Sequence, residues 1–194
     1  MKKIMVCALS LVVIAGFWGC GKKVKRIDVA ETVDLSGKWN DTDSRLVSEE
    51  MMKDCLARPW VVNYVQKSGE KPTVIVGTVV NKTDEHIISE TFTKDLERAL
   101  INSGQVQMVA SKEERKEIRE EREEMQENAS AESVKELKKE EAADFMLKGV
   151  INAIEDKEGK KKIMYYQIDL ELIDTETNQK SWIGDKKIKK YIKN

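Results

Sequence analysis

Histidine is almost missing from this 194-residue chain: His86 stands alone, beside two prolines, three cysteines and 6% aromatic residues. Each shortage removes a class of chemistry. With one histidine, and only Cys55 beyond the first twenty residues, a Cys/His zinc site cannot be assembled. One remaining thiol cannot close an internal disulfide, so the fold has to hold by packing. An excess of one charge is missing too. With 34 basic and 35 acidic residues the formal net charge is −1, which argues against nucleic acid, whose binders carry a basic surface. No glycine-rich phosphate loop follows a strand, and no serine sits in a nucleophile elbow. Asp41 and Asp43 begin like a calcium loop, but the sixth position is not glycine. Close carboxylate pairs arise by chance among this many acids, whereas a glycosidase needs two in one cleft with split pKa values. His86 reads as a solvated loop or cap residue. The expectation is a protein that is not an enzyme, with no cofactor, metal, nucleic acid or small-molecule substrate.

What is present begins at the N-terminus. Lys2 and Lys3 precede an apolar run from Ile4 to Trp18, and Gly19 stands immediately before Cys20. About 15 apolar residues suit the core of a secretory signal, where a membrane span takes roughly 20. A small residue before a cysteine at this place resembles the lipobox of bacterial lipoproteins, with Phe17 and Trp18 departing from the usual Leu and small residue. The resemblance implies a signal peptide over residues 1–19, cleavage before Cys20 and diacylglycerol on its thiol; an uncleaved anchor is the alternative. Each buried methylene adds about 0.8 kcal/mol, so a cysteine with two or three acyl chains holds a membrane essentially permanently. The second mature residue is Gly21, not the Asp that in enteric bacteria resembles an inner-membrane retention signal. By that analogy the anchor belongs to the outer membrane, facing the periplasm.

Residues 20–34 read as the lipidated cysteine and a tether. Lys22, Lys23, Lys25 and Arg26 are either solvated or drawn to anionic head groups, at up to ~1 kcal/mol per charge. Residues 35–194 read as one globular domain, since removal of 1–19 leaves 175 residues, enough for a core.

Within that domain the pattern predicts α and β elements together. Thr42 or Asp43 caps a helix to Leu56, with Val47, Met51 and Cys55 on one stripe, so Cys55 reads as a small buried apolar residue. Pro59 ends that segment, and Trp60-Val61-Val62 leads to a Ser68-Gly69 turn. Thr73 to Val80 is β-branched and apolar on both faces, the pattern of a central strand. A helix follows from Ile88 to Asn102, finished by Gly104, then a short strand from Val106 to Ala110. Residues 112–127 are almost wholly charged and predict an exposed, mobile helix; another short helix is expected over 132–142. Residues 145–191 predict a three-stranded meander. In its middle strand Met164, Tyr166, Ile168, Leu170 and Leu172 point one way and Gln167, Asp169 and Glu171 the other. The fold class is therefore α/β (α+β), a small mixed or antiparallel sheet flanked by helices.

Two features suit a partner. Trp39, Trp60 and Trp182 read as packing over the core edges or as interface anchors. Lys186, Lys187, Lys189, Lys190 and Lys193 read as protection of an edge strand, or as a basic strip facing anionic polymer or an acidic partner.

Several segments resemble the LpoB-type outer-membrane lipoproteins that activate penicillin-binding proteins. They are DLSGKWNDTDSRLVSEEM from Asp34, NKTDEHI from Asn81, FTKDLERALINSG from Phe92, AADFMLKGVI from Ala142 and YQIDLELIDTETNQKSWIG from Tyr166. The resemblance implies a non-catalytic protein that reaches from the outer membrane, binds a bifunctional peptidoglycan synthase and raises both of its activities. It also implies a fold similar to the N-terminal domain of TolB. Enteric members carry a long Pro-rich tether, whereas about 14 residues separate Cys20 from Asp34 here, reaching about 50 Å fully stretched.

Overall fold

The computed structural model describes residues 24–136 and 139–193. The chain divides into two units, Met1–Glu31 and Thr32–Asn194. In the first, the described residues are irregular apart from a turn where the Glu31 amide donates to the Asp28 carbonyl. The signal segment and Cys20 lie outside the described residues.

The second unit opens with α1 (Asp41–Leu56). Its N-cap is Asn40 rather than Thr42 or Asp43. The Asn40 side chain accepts from the Asp43 amide at 3.1 Å, and Asp43 Oδ2 accepts from the Asn40 amide at 3.0 Å. This reciprocal box satisfies two amides that the first turn otherwise leaves open. Pro59 does end the segment, but only to start α2 (Trp60–Ser68), a helix that three consecutive extended-favouring residues conceal. Gly69 closes it in the left-handed conformation at φ 80°.

β1 (Thr73–Asn81) pairs in parallel with β2 (Gln107–Met108) and with β3 (Phe145–Glu158). Parallel neighbours need crossovers. The chain supplies α3 (Ser89–Ser103), ended by Gly104, between β1 and β2, and α4 (Lys112–Asn128) between β2 and β3. β3, β4 (Lys161–Asp174) and β5 (Lys180–Lys193) then form an antiparallel meander, and the sheet order is β2-β1-β3-β4-β5. The fold is mixed α+β, as the sequence predicts.

The alternation in β4 sets the core face. Met164, Tyr166, Ile168, Leu170 and Leu172 are all 3% exposed or less, and they meet Phe92, Leu96 and Leu100 of α3 and Val47, Met51 and Met52 of α1 in one cluster. Burying such side chains contributes about 1.5–3 kcal/mol each before entropy is counted. α4 buries no residue.

Among the described residues the expected helix over 132–142 is not formed. Residues 131–133 are a turn, and the other described residues to 142 are irregular. Here the backbone has other partners: the amides of Ser133 and Val134 donate to the Ser130 carbonyl, and Gln126 Nε2 donates to the Lys135 carbonyl at 2.9 Å. Glu140 then binds Arg119 at 2.7 Å and Arg122 at 3.5 Å, pulling the segment back along α4.

Candidate functional site

The three tryptophans are committed to packing. Trp60 Nε1 donates to the Cys55 carbonyl at 2.8 Å, and Trp182 Nε1 donates to Asp54 Oδ2 at 2.9 Å, so both indoles clamp the C-terminal end of α1. The Trp182 bond, with Arg58 alongside, holds the Asp54 carboxyl below the usual range. Trp39 meets Phe92 and Tyr166 edge-to-face, with centroids 5.9 and 5.7 Å apart. Cys55 is fully buried, and burial pushes its thiol up to about 12, so it packs as an apolar residue. His86 is exposed in the loop before α3. Among the described residues no three His, Cys, Asp or Glu side chains group to hold a metal ion.

Three of the sequence segments singled out above, those from Asp34, Asn81 and Tyr166, meet in a latch. Glu85 reaches out of the β1–α3 loop, and its Oε2 accepts from Tyr166 Oη of β4 at 2.8 Å and from the Trp39 amide at 3.1 Å. Burial pushes the Tyr166 phenol up, and the Glu85 carboxylate pushes the same way, so the phenol stays a donor. The loop is preset for this: Asn81 Nδ2 donates to the Glu85 carbonyl at 2.8 Å, and Thr83 bonds back to Asn81. Beside it, Lys190 of β5 donates to Asp43 Oδ2 at 2.6 Å and to the Lys38 carbonyl at 3.0 Å, and pairs with Asp34 Oδ2 at 2.8 Å. Its side chain is only 10% exposed. Loss of solvation pushes the Asp34 carboxyl up, but Lys190 and the Gly37 amide outweigh it and hold the group below its usual range. Gly37, at φ 67°, lies against Ile192 where a Cβ would collide.

This arrangement positions; it aligns no nucleophile with a base. Its product is a fixed exit point, since Asp34, where the expected tether ends, is bound against the C-terminal half of β5. Sequence reasoning missed Glu85, Tyr166 and Lys190 as a group. The one available signal was that Glu85 and Tyr166 each lie in a recognisable segment; Lys190 lies beyond the last of them.

The lysines of β5 divide by parity. Lys186 pairs with Glu50 of α1, and Lys190 with the latch, so both are internal ties. Lys187, Lys189 and Lys193 face outward; Lys187 lies 3.1 Å from Asp185, its neighbour on the same face. That carboxylate raises the Lys187 ammonium above its ordinary value. Ile183 and Tyr191 share the outward row at 63% and 61% exposure.

With fold and surface defined, the molecule is a mixed α+β domain carried behind an N-terminal apolar segment. The family model described as "Peptidoglycan-synthase activator LpoB" matches residues 43–188, and the chain belongs to that family. Among solved structures, it is similar to the LpoB C-terminal domain from Escherichia coli. Identity there is 15% over 67% of this chain and 93% of that one, with a TM-score of 0.37. The Salmonella enterica LpoB C-terminal domain gives 17%, 67% and 93%, with a TM-score of 0.33. Lipoprotein GNA1162 from Neisseria meningitidis gives 12% identity over 62% of this chain and 83% of that one, with a TM-score of 0.39. No curated protein matches the sequence. No helix among the described residues is long and apolar enough to cross a membrane.

Proposed function

We propose that this protein is a non-catalytic lipoprotein, anchored through Cys20 in the outer membrane and facing the periplasm. In this reading it binds a bifunctional peptidoglycan synthase, a penicillin-binding protein, and raises its activity. The family membership over residues 43–188 carries the reading. The latch supports it physically. A domain that must present one surface to a partner gains from a tether that leaves at a fixed place, and Lys190 and Glu85 provide that. An activator of this kind acts by binding one conformation of its partner more tightly than another.

The anchor and the partner are tested together in living cells. Labelled palmitate should enter the wild-type protein and not Cys20→Ser, and crosslinking should join the wild type to a bifunctional synthase. Wild-type protein without lipid, or crosslinked only to other envelope proteins, sinks the reading.

One observation favours a second reading, a lipoprotein that scaffolds other envelope proteins. The tether of about 14 residues adds about 50 Å at most, and a straight strand as long as β4, 14 residues, adds about 47 Å more. A partner at or near the outer membrane lies well within that reach. Crosslinking separates the two readings by naming the partner.

A further inference from the structure

The strongest unexplained feature is the free edge of the sheet. β5 is 14 residues long and ends the strand order, so alternate backbone amides and carbonyls along it have no ladder partner among the described residues. Resting on the reading that this domain works by binding another envelope protein, we propose that the β5 edge docks an extended acidic segment of that partner, which joins the sheet as a sixth strand.

Protection of the edge by lysine explains part of β5 and fails at the rest. Lys186 and Lys190 are spent on Glu50, Asp43 and Asp34, so they guard nothing. On the outward row Lys187 and Lys189 lie between Ile183 and Tyr191, two large apolar side chains more than 60% exposed. A strand evolved only to repel neighbours gains nothing from them. Ile183 lies beside Glu171, but Tyr191 is not isolated. The register sets Tyr191 beside Ile163 and Lys189 beside Tyr165, and Ile154, 64% exposed, lies across from Tyr165. The edge therefore offers open main-chain groups, the adjacent lysines Lys187 (paired with Asp185) and Lys189, and at the Tyr191 end an apolar patch that continues onto the sheet face. An extended peptide reads that combination: ladder bonds supply affinity and alternate side chains supply choice.

Charge selects the occupant. On the outward row of β5, Lys187, Lys189 and Lys193 outnumber Asp185, so the face offered to a neighbouring strand is net positive. A second copy pairing β5 with β5 brings these lysines against each other. An anionic lipid surface meets Asp156 and Glu158, which the register sets beside Ile163 and Lys161 at the same end of the sheet. An acidic strand meets neither obstacle. Its side chains facing the row are acidic opposite Lys187, Lys189 and Lys193, basic opposite Asp185 and apolar opposite Ile183 and Tyr191.

The test uses the full-length chain in detergent micelles and the peptide Glu-Thr-Val-Thr-Glu-Thr-Glu-Thr-Lys-Thr-Val, written to that pattern. Amide exchange is followed along β5 and binding by titration. Two further peptides are N-methylated at odd or at even residues. Because an edge uses only alternate amides, one phase should abolish binding and the other spare it. The peptide should slow exchange within 180–193, and the double variant Lys187→Glu, Lys189→Glu should bind about tenfold or more weakly at an unchanged melting temperature. Equal binding by both methylated peptides or by a scrambled peptide overturns the proposal, as does protection elsewhere than β5. Anionic phosphatidylglycerol vesicles that protect β5 as well as the peptide overturn it in favour of a membrane. If the wild type activates a synthase and the double variant does so equally, the edge is not the docking site and the proposed function stands. If the wild type activates none, that function fails, and the exchange data alone decide the edge.

Discussion

Glu85 shows how a single half-buried carboxylate can organise a domain's N-terminal segment. Its Oε2 joins a loop, a strand and the backbone before α1, through Tyr166 and the Trp39 amide. Its Oε1 is buried and finds no partner among the described residues, so the group depends on the two bonds it has. Tyr166→Phe keeps the ring in a fully buried site and removes only the hydroxyl. The variant should lose about 1–3 kcal/mol, the cost of leaving a buried acceptor short of a donor. Urea unfolding followed by tryptophan fluorescence reads this as a lower midpoint with an unchanged slope. An unchanged midpoint contradicts the latch. None of this was legible in the sequence: an acid in a polar loop looks solvated, and its phenol partner is 81 residues away.

The elements differ sharply in how openly the sequence declares them. β4 is plain because its inward and outward residues alternate without a break, and α3 because Phe92, Leu96 and Leu100 share one face and Gly104 closes it. α2 is hidden. Trp60, Val61 and Val62 favour extended backbone, yet Trp60 and Tyr64, four apart, both meet Phe145 edge-to-face at 5.0 and 5.6 Å, and one turn of helix brings them to the same ring. α4 is declared by its charge spacing but has no core contact to hold it, so its end groups count. The Lys94 ammonium, and after it the Ser111 amide, hold the Glu114 carboxyl at about 2, against an ordinary 4.5. The folded value is the lower one, so the stabilisation is present above about 4.5 and is lost as pH falls through about 2. Glu114 is 45% exposed, which keeps the effect small. Carbon chemical shifts over Lys112–Asn128 should therefore report fraying of α4 in that window, while α1 persists. Glu114→Gln should show α4 already weakened at neutral pH and little further change on acidification; wild-type behaviour in that variant contradicts the assignment.

At the scale of the whole molecule, the sequence predicts a leader, a short tether and a domain, and three of its recognisable segments, those from Asp34, Asn81 and Tyr166, meet in the latch. The contacts bind Asp34 beside β5, so the tether's exit and the free sheet edge lie at one side of the domain. In the proposed function the tether starts from the side of the domain that carries the partner surface, and the protein's work is done by what it brings together. The most direct measurement is glycan polymerisation by the organism's purified bifunctional synthases, with and without the full-length protein. The account predicts binding and a faster rate of at least one synthase; unchanged rates for all of them, with no complex formed, contradict it.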